Sequence, residues 1–406
     1  MIFRNRPLVR LGAAALLASG AFAAFGAPAH AAGTETDLAL DVVGTRVADG
    51  AVGKLAFAKV TNKGENTPSE LGVRLDVSKL DWTKVAVVPV LITGDCELEG
   101  TEAKPTAWTC FAAKDSLPGP GETIDLPIVL IKALDSLKKA YSAPVKFTII
   151  SKDDTNKDNN TKSVNVEFTK ENGADLFVLA DDVKNAVRVK NGAIEFAGDL
   201  HAGDTAPLIY TVWNQGDRPT AGLKVTVKLP KGVTFTDTEP QCEEAADHVS
   251  LVCTYPDLPY VPLLPSDEGD DGDDGVPGGI FYHLLSVSED VKAGALTGGT
   301  VSVEPILPPR DVALKSFKIK HKPANMTPLK KADLDGDLDA SDNTDGFAVI
   351  VVAEGGAGGG LPVTGAKAGL IGGIGVAVLV VGGALFLVAR RRRVVLVTPA
   401  DEKSTD

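Results

Sequence analysis

Histidine and cysteine are scarce in this chain of 406 residues, which contains five of the first and four of the second. Downstream of the N-terminus the histidines are His201, His248, His283 and His321, and none has the spacing of a metal site. The sequence also lacks the Gly-any-Ser-any-Gly turn of a serine nucleophile and a glycine-rich phosphate loop. We therefore expect no catalytic residue, no bound metal and no cofactor. A pair of carboxylates for glycoside hydrolysis stays open, because sequence spacing does not give distances in the fold.

The chain also lacks an excess of positive charge. Its 41 basic residues stand against 54 acidic ones, which gives a formal net charge of −13. A negative field attracts neither nucleic acid nor an anionic membrane surface, so neither is expected as a partner. An acidic surface also keeps exported proteins soluble, which explains the charge without any ligand.

The N-terminus has the three parts of a secretory signal peptide. Arg4, Arg6 and Arg10 are followed by an apolar, alanine-rich stretch from Leu11 to Phe25 and by the small-residue site Ala29-His30-Ala31. We expect residues 1–31 to be removed, so that the mature chain begins near Ala32. An uncleaved membrane anchor is the alternative.

The C-terminal end contains the segment Leu361-Pro362-Val363-Thr364-Gly365 after a glycine-rich linker at 355–360. An uncharged apolar run of 21 residues follows, from Gly369 to Ala389. As a helix it would span about 30 Å, the thickness of the hydrocarbon core of a bilayer. Arg390 to Arg393 close the run, and positive charge is retained in the cytoplasm. The sequence therefore predicts a transmembrane helix at 369–389 and a cytoplasmic tail at 390–406, with everything before them outside the cell.

This order of features resembles the cell-wall sorting signal of Gram-positive surface proteins, whose consensus is Leu-Pro-any-Thr-Gly. The resemblance implies that a sortase cleaves between Thr364 and Gly365 and joins the Thr364 carbonyl to an amine of a peptidoglycan precursor. It also implies an extracellular location in the cell wall, after a membrane-inserted stage. The tail after the arginines, Val394 to Asp406, is longer than this pattern usually has. The alternative is a single-span membrane protein that contains the motif by accident.

Apolar and polar residues alternate in several short segments of the exported part, which is typical of strands with one buried face. The clearest segments are Leu71, Val73, Leu75 and Val77; Val164, Val166 and Phe168; and Leu223, Val225, Val227 and Leu229. Turn-forming residues separate them, as at Pro118-Gly119-Pro120-Gly121. The pattern favours β-sandwiches. One short helical pattern, at Leu134, Leu137 and Tyr141, is expected in a crossover turn.

The chain repeats itself once. Val60-Thr61-Asn62-Lys63-Gly64-Glu65 returns 152 positions later as Val212-Trp213-Asn214-Gln215-Gly216-Asp217, and an alternating strand follows each copy. An acidic, asparagine-rich turn precedes the last strand of both copies. We therefore predict two domains of one type, at residues 32–171 and 172–354.

The Asn-any-Gly turn, the strand after it and the segment Leu229 to Phe235 resemble the immunoglobulin-like adhesion repeats that occur in tandem on bacterial surface proteins. The resemblance implies an all-β fold of two immunoglobulin-like β-sandwich domains in tandem. It also implies a role at the cell surface, without naming a ligand.

All four cysteines lie in the exported part, with one pair in each copy. Cys96 and Cys110 are 14 residues apart, and Cys242 and Cys253 are 11 apart. In an oxidising compartment such pairs are expected to form disulfides. A metal site is the alternative, although His248 is the only histidine inside either loop.

Two acidic stretches raise the question of calcium, which prefers closely spaced carboxylates. Asp333, Asp335, Asp337, Asp339 and Asp342 alternate like ligands, but Leu338 stands where the helix-loop-helix calcium site needs glycine. The corresponding turn of the first copy, Asp153 to Asp158, is less acidic. We therefore expect plain solvated turns, with calcium as the alternative. The other stretch, Asp267 to Asp274, is expected to be a disordered surface loop.

These features predict a wall-anchored surface protein whose two modules act as a stalk or structural coat. An adhesin is the alternative, with loops of the second domain binding a glycan, a host protein or a neighbouring cell. Its candidate aromatic cluster is Tyr255, Tyr260, Phe281 and Tyr282, although the same residues could cap the second sandwich. A wall-attached hydrolase of unrecognised type is the third alternative.

Overall fold

The structure is a computed structural model. It describes residues 35–47, 53–89, 96–134, 136–171, 173–190, 193–236, 238–262, 278–307, 326–328 and 339–353. The predicted signal peptide, glycine-rich linker, sorting motif, transmembrane helix and cytoplasmic tail lie outside these residues. Within the described ranges, no helix has the length and hydrophobicity that a bilayer span requires.

Ten strands between residues 38 and 168 form two sheets. They are β1 Leu38–Val43, β2 Arg46–Val47, β3 Lys54–Asn62, β4 Gly72–Asp76, β5 Val85–Pro89, β6 Cys96–Thr101, β7 Lys104–Phe111, β8 Thr123–Ala133, β9 Tyr141–Ile150 and β10 Thr161–Phe168. One sheet has the order β1-β3-β8-β5 and the other β2-β10-β9-β4-β7-β6. All neighbours are antiparallel except β2 and β10. We call this pair of sheets the first sandwich.

Twelve strands between residues 176 and 351 form three further sheets. They are β11 Leu176–Ala180, β12 Asn185–Lys190, β13 Ala193–Asp199, β14 Thr205–Asn214, β15 Gly222–Lys228, β16 Val233–Phe235, β17 Cys242–Glu244, β18 Ser250–Tyr255, β19 Gly278–Val287, β20 Gly294–Ile306, β21 Met326–Pro328 and β22 Thr344–Val351. Two sheets, β11-β14-β19-β16 and β17-β18-β15-β20-β22, form the second sandwich. β21 adds to the first of them by pairing with β19, and β12 and β13 form a separate hairpin.

The predicted repeat is present in the order of the strands. β1-β3-β8-β5 of the first sandwich corresponds to β11-β14-β19-β16 of the second, and β10-β9-β4-β7-β6 corresponds to β22-β20-β15-β18-β17. The hairpin β12–β13 is an addition to the second copy, where the first copy has only the short connection between β2 and β3. Whether the two copies fold separately, with a boundary at 171/172, stays a prediction.

Each sandwich has its own hydrophobic core, to which both of its sheets contribute. The predicted alternation of apolar and polar residues accounts for many of the core side chains. Val73 and Leu75 of β4 are buried, as are Val166 and Phe168 of β10, whereas Val164 is half-buried. In β15, Leu223, Val225 and Val227 are all fully buried. One face of each of these strands therefore points into a core, as expected from the period of two.

The predicted crossover turn connects β8 and β9, which lie in different sheets, but the helical pattern predicted for it is wrong. The Leu137 amide donates to the Leu134 carbonyl in a single turn, and Tyr141 already begins β9. The described residues contain no α-helix, only 3-10 turns at Lys114–Ser116 and Lys157–Asn159. Strand pairing prevails here because β9 hydrogen-bonds to both β4 and β10 and buries every second side chain.

Candidate functional site

The repeated Asn-any-Gly turns are built in the same way in both sandwiches. Asn62 is fully buried, and its amide nitrogen donates to the carbonyls of Asn66 (2.9 Å) and Pro118 (3.0 Å). Asn214 is equally buried and donates to the carbonyls of Arg218 and Tyr260, both at 2.9 Å. Each asparagine oxygen accepts from the amide two residues on. The motif is therefore an internal brace that closes its own turn and ties that turn to a distant segment of the same sandwich.

The glycines of these turns have no room for a side chain. A Cβ on Gly64 would lie 2.6 Å from the Asp37 nitrogen, and a Cβ on Gly216 would lie 2.6 Å from the Asp175 nitrogen. In both copies the turn thus presses against the residue that precedes the first strand. The sequence repeat marks a packing requirement rather than a binding site.

Both predicted disulfides are present, Cys96–Cys110 and Cys242–Cys253. Each joins directly opposite residues of neighbouring strands, β6 with β7 and β17 with β18. These are corresponding edge hairpins of the two sandwiches, so the bridges are structural and occupy the same place in each copy.

The aromatic residues considered as a binding surface belong mostly to the core. Tyr255, Tyr260 and Phe281 are at most 3% exposed, and the Phe281 ring lies 5.6 Å from that of Tyr255. Only Tyr282 reaches the surface, at 36% exposure. The alternation of β19 explains the difference, because neighbouring strand residues point to opposite faces. The alternative of an exposed aromatic cluster is therefore wrong, and three of the four residues belong to the second sandwich, as the other interpretation has it.

Exposed apolar side chains occur instead on the β12–β13 hairpin. Val189, Ile194 and Phe196 are 58%, 37% and 54% exposed. Val189 lies opposite Ile194, and Phe196 lies opposite the buried Val187, so the three exposed residues share one face of the hairpin with a residue that is packed inside. Sequence reasoning did not single out this surface, although the hairpin lies where the two copies differ in length.

The last part of the acidic stretch 333–342 does not form a plain solvated turn. Asp339 and Asp342 are 8% and 0% exposed, and both contact Lys54 of the first sandwich. Asp333, Asp335, Asp337 and the stretch 267–274 lie outside the described residues. In the first copy Asp154 is also buried and accepts from the Leu38 and Asn156 amides. The expectation of solvated turns is therefore wrong for Asp154, Asp339 and Asp342, whereas Asp158 of the first copy is exposed.

Lys54 is the centre of a buried charge cluster between the sandwiches. Its side chain is completely buried, and its Nζ contacts the carboxylates of Asp175, Asp342 (3.0 Å) and Asp339 (3.3 Å). Asp339 also accepts from the backbone amide of Arg46 at 3.0 Å. Among the described residues, no group of three His, Cys, Asp or Glu side chains is arranged to hold a metal ion. The ammonium group of Lys54 supplies the positive charge that these carboxylates face.

A second cluster surrounds Lys59 on the same strand. Lys59 lies opposite Asp125 of β8, with 2.8 Å between Nζ and the carboxylate, and it also contacts Asp345 of β22. The other oxygen of Asp345 accepts from the Ala180 amide at 2.7 Å. Close by, the Asp182 carboxylate accepts from Thr123 of the first sandwich (2.7 Å) and from Ala348 of the second (2.6 Å). Lys184 pairs with Glu122 at 2.9 Å.

Burial shifts the titration of these carboxyls upward. It raises the pKa of Asp125 to about 7, helped by the charge of Asp345, and the pKa of Asp342 to about 6. Burial also raises the pKa values of Asp181 and Asp182 to about 6. Burial opposes the charge of Lys59, but Asp125 and Asp345 outweigh it and raise the pKa of that ammonium group.

Apolar contact adjoins the charge clusters. Phe57 stacks on Phe177 with 4.5 Å between ring centroids, and Phe177 stacks on Trp213 at 5.3 Å. Val43, Leu55 and Leu179 complete this small core, which draws residues from both sandwiches. Nothing in the sequence pattern set Lys54, Lys59 and the aromatic stack apart. The only available signal was the run Lys54-Leu-Ala-Phe-Ala-Lys59, whose apolar residues occupy both faces of a strand.

No protein-family model and no curated protein matches the sequence. Among solved structures the chain is similar to the collagen adhesin of S. aureus at 10% identity, over 79% of this chain and 94% of that chain, with a TM-score of 0.21. It is similar to the B domain of a biofilm associated protein at 9% identity, over 68% and 83%, with a TM-score of 0.22. The collagen binding domain of the Erysipelothrix rhusiopathiae surface protein RspB gives 9% identity, over 78% and 97%, with a TM-score of 0.20. At such identities and TM-scores these likenesses carry no argument, and the fold rests on the strand pairing described above.

Proposed function

We propose that this is a non-enzymatic surface protein of a Gram-positive bacterium, linked to peptidoglycan through Thr364 by a sortase. The observation that carries the proposal is the order of Leu361 to Gly365, the apolar run to Ala389 and the four arginines after it. The two disulfides support export to an oxidising compartment. The sortase and a peptidoglycan precursor are the proposed partners.

In this proposal the two sandwiches act as a stalk or structural module on the cell surface. Support comes from the use of the repeated motifs, because the asparagine braces and disulfides all serve packing within a sandwich. The buried aromatic residues of the second sandwich serve the same purpose. The residues that the sequence repeats thus stabilise the scaffold.

Cell fractionation tests the anchoring. We expect Thr364→Ala to shift the protein from the fraction released by muramidase to the membrane or the medium. Thr398→Ala is the matched control, because this threonine lies in the tail that sorting would discard, and its product should stay in the wall. The proposal fails if Thr364→Ala is still released only by digestion of the wall.

An adhesin is the second candidate function, and the exposed hairpin favours it. Val189, Ile194 and Phe196 lie on an addition to the second copy that the shared sandwich fold does not need. Wild-type protein and the Phe196→Ser variant should be screened against glycans, matrix proteins and whole cells. Val88→Ser is the control, since Val88 is also exposed but lies on an edge strand of the first sandwich. A ligand lost only in Phe196→Ser would support adhesion through the hairpin, and no ligand for the wild type would leave the stalk role.

A further inference from the structure

The contacts between the two sandwiches include hydrogen bonds that depend on orientation as well as distance. Arg46 and Leu55 of the first sandwich donate their backbone amides to Asp339 and to the side chain of Gln215, each at 3.0 Å. Thr123 donates its amide to Asp182. These bonds run between a backbone group of one sandwich and a side chain of the other, at three separate places.

The two lysines add charge to this arrangement. Lys54 is closed off from water together with Asp175 and Asp342, and Lys59 is flanked by one carboxylate from each sandwich, Asp125 and Asp345. A buried ammonium group is stable only where its carboxylates are held in place around it, because separation without solvation leaves uncompensated charge. A displacement of one sandwich by a few ångströms would break these ion pairs before water could solvate the separated charges.

The connection between the sandwiches is also held at both ends. The Thr169 amide donates to the Val47 carbonyl at 2.9 Å, and the Gly173 amide donates to Asp217 at 2.7 Å. Packing is also tight elsewhere in the contact, since a Cβ on Gly121 would lie 2.2 Å from the Ala295 side chain. A hinge at the connection would have to break bonds in each sandwich.

We propose that Lys54 and Lys59 are fixed internal cations that lock the two sandwiches in one orientation, so that the pair moves as one rigid body. This goes beyond the proposed function, because attachment to the wall requires no fixed angle between modules. A locked pair would hold its outer end at a constant distance from the wall, whereas two hinged modules would not.

Hydrogen exchange followed by mass spectrometry on the full chain in detergent tests the lock. In the wild type, the amides of Arg46, Leu55 and Thr123 should exchange at least about tenfold more slowly than that of Ser78, whose acceptor lies in an exposed turn. They should match the amides paired between β4 and β9. If they exchange as fast as Ser78, the sandwiches move independently and the proposal is wrong. This comparison needs no variant and decides the matter even where a variant does not fold.

The Lys54→Met variant then tests the role of the charge, since methionine keeps much of the length and removes the ammonium group. The amides of Arg46 and Leu55 should exchange about tenfold faster, while those within β15 and β18 keep their protection. Lys224→Met is the matched control, because Lys224 pairs with Glu304 on the exposed surface of β15 and β20. Unchanged exchange at Arg46 and Leu55 in Lys54→Met would show that the lysine does not lock the pair.

Discussion

Four carboxyls with raised pKa values predict that the protein is more stable at pH 5.5 than at pH 7.5. The groups concerned are Asp125, Asp342, Asp181 and Asp182, which face Lys59, Lys54 and Lys184. The pKa of Asp125 rises to about 7 and those of the other three to about 6, mainly through burial. In the unfolded chain each of these carboxyls has the ordinary pKa of about 3.9.

The direction of the change in stability with pH follows from which state of the chain, folded or unfolded, binds more protons. Between pH 4 and pH 7 the folded chain holds protons on these carboxyls that the unfolded chain has already released. Stability therefore rises as the pH falls through this window. His283 acts in the opposite direction, because burial lowers its pKa to about 4 and only the unfolded chain takes up its proton below pH 6.5. Carboxyls with lowered pKa values, such as Asp81 at about 2, lose their contribution only at more acidic pH.

The gain in stability between the two pH values depends on the folded pKa of each group. Between pH 7.5 and pH 5.5, a carboxyl with a folded pKa of about 7 gains about 2 kcal/mol of stability, and one with a pKa of about 6 gains about 1 kcal/mol. The four carboxyls together give about 4 kcal/mol, and His283 takes back about 1 kcal/mol. We expect a net gain of about 3 kcal/mol at pH 5.5, which corresponds to a rise in Tm of about 5 °C or more.

Denaturation of the ectodomain, residues 32–354, at a series of pH values measures this gain. The Asp125→Asn variant should lose about 2 kcal/mol of the difference between pH 5.5 and pH 7.5, because the amide does not titrate. Asp41→Asn is the matched control, since it removes one exposed carboxylate of the same sandwich on β1, and the loss is expected only in Asp125→Asn. A wild-type stability that is flat or rises from pH 5.5 to pH 7.5 would refute the reasoning. So would an Asp125→Asn variant with the wild-type slope.

Two further predictions concern the shared scaffold. Asn62→Ala and Asn214→Ala should each lower the free energy of unfolding by about 3 kcal/mol, because buried carbonyls lose their donors; exposed Asn165→Ala is the control in urea titrations. An equal effect of Asn165→Ala would contradict the brace. The exported protein should be lighter than its reduced form by the mass of four hydrogen atoms. Peptide mapping should link Cys96 to Cys110 and Cys242 to Cys253. Removing either bridge should cost about 3 kcal/mol, and a link between the two copies would overturn the pairing.

Local patterns in the sequence predicted the parts of the fold that depend on neighbouring residues. Alternation at Val73 and Leu75 gave a strand with one buried face, and it did so because a period of two follows from the geometry of the strand itself. The repeat around Asn62 and Asn214 predicted equivalent turns, which the hydrogen bonds bear out. The cysteine spacing predicted the disulfides, because a hairpin brings such residues opposite each other.

Contacts between the sandwiches could not be predicted in this way. Burial of Lys54 depends on three aspartates that are more than 100 residues away in the chain. A lysine at the start of a strand normally indicates a solvated end, and Asp339 and Asp342 normally indicate an exposed turn. The sequence neighbours of these three residues therefore suggest exposed positions. Their buried environment is created only by the packing of one sandwich on the other.

The two copies have different residues at equivalent positions where the sandwiches contact each other. Lys54, Phe57 and Lys59 correspond, 152 positions later, to Ala206, Ile209 and Thr211. On the other side of the contact, Phe177 and Trp213 pair with each other as Ala39 and Thr61 do in the first copy. The first sandwich therefore has the lysines without the stacked aromatic pair, and the second has the aromatic pair without the lysines. Two copies of one fold have become complementary halves of a single joint, and neither has the residues to repeat that joint with a third.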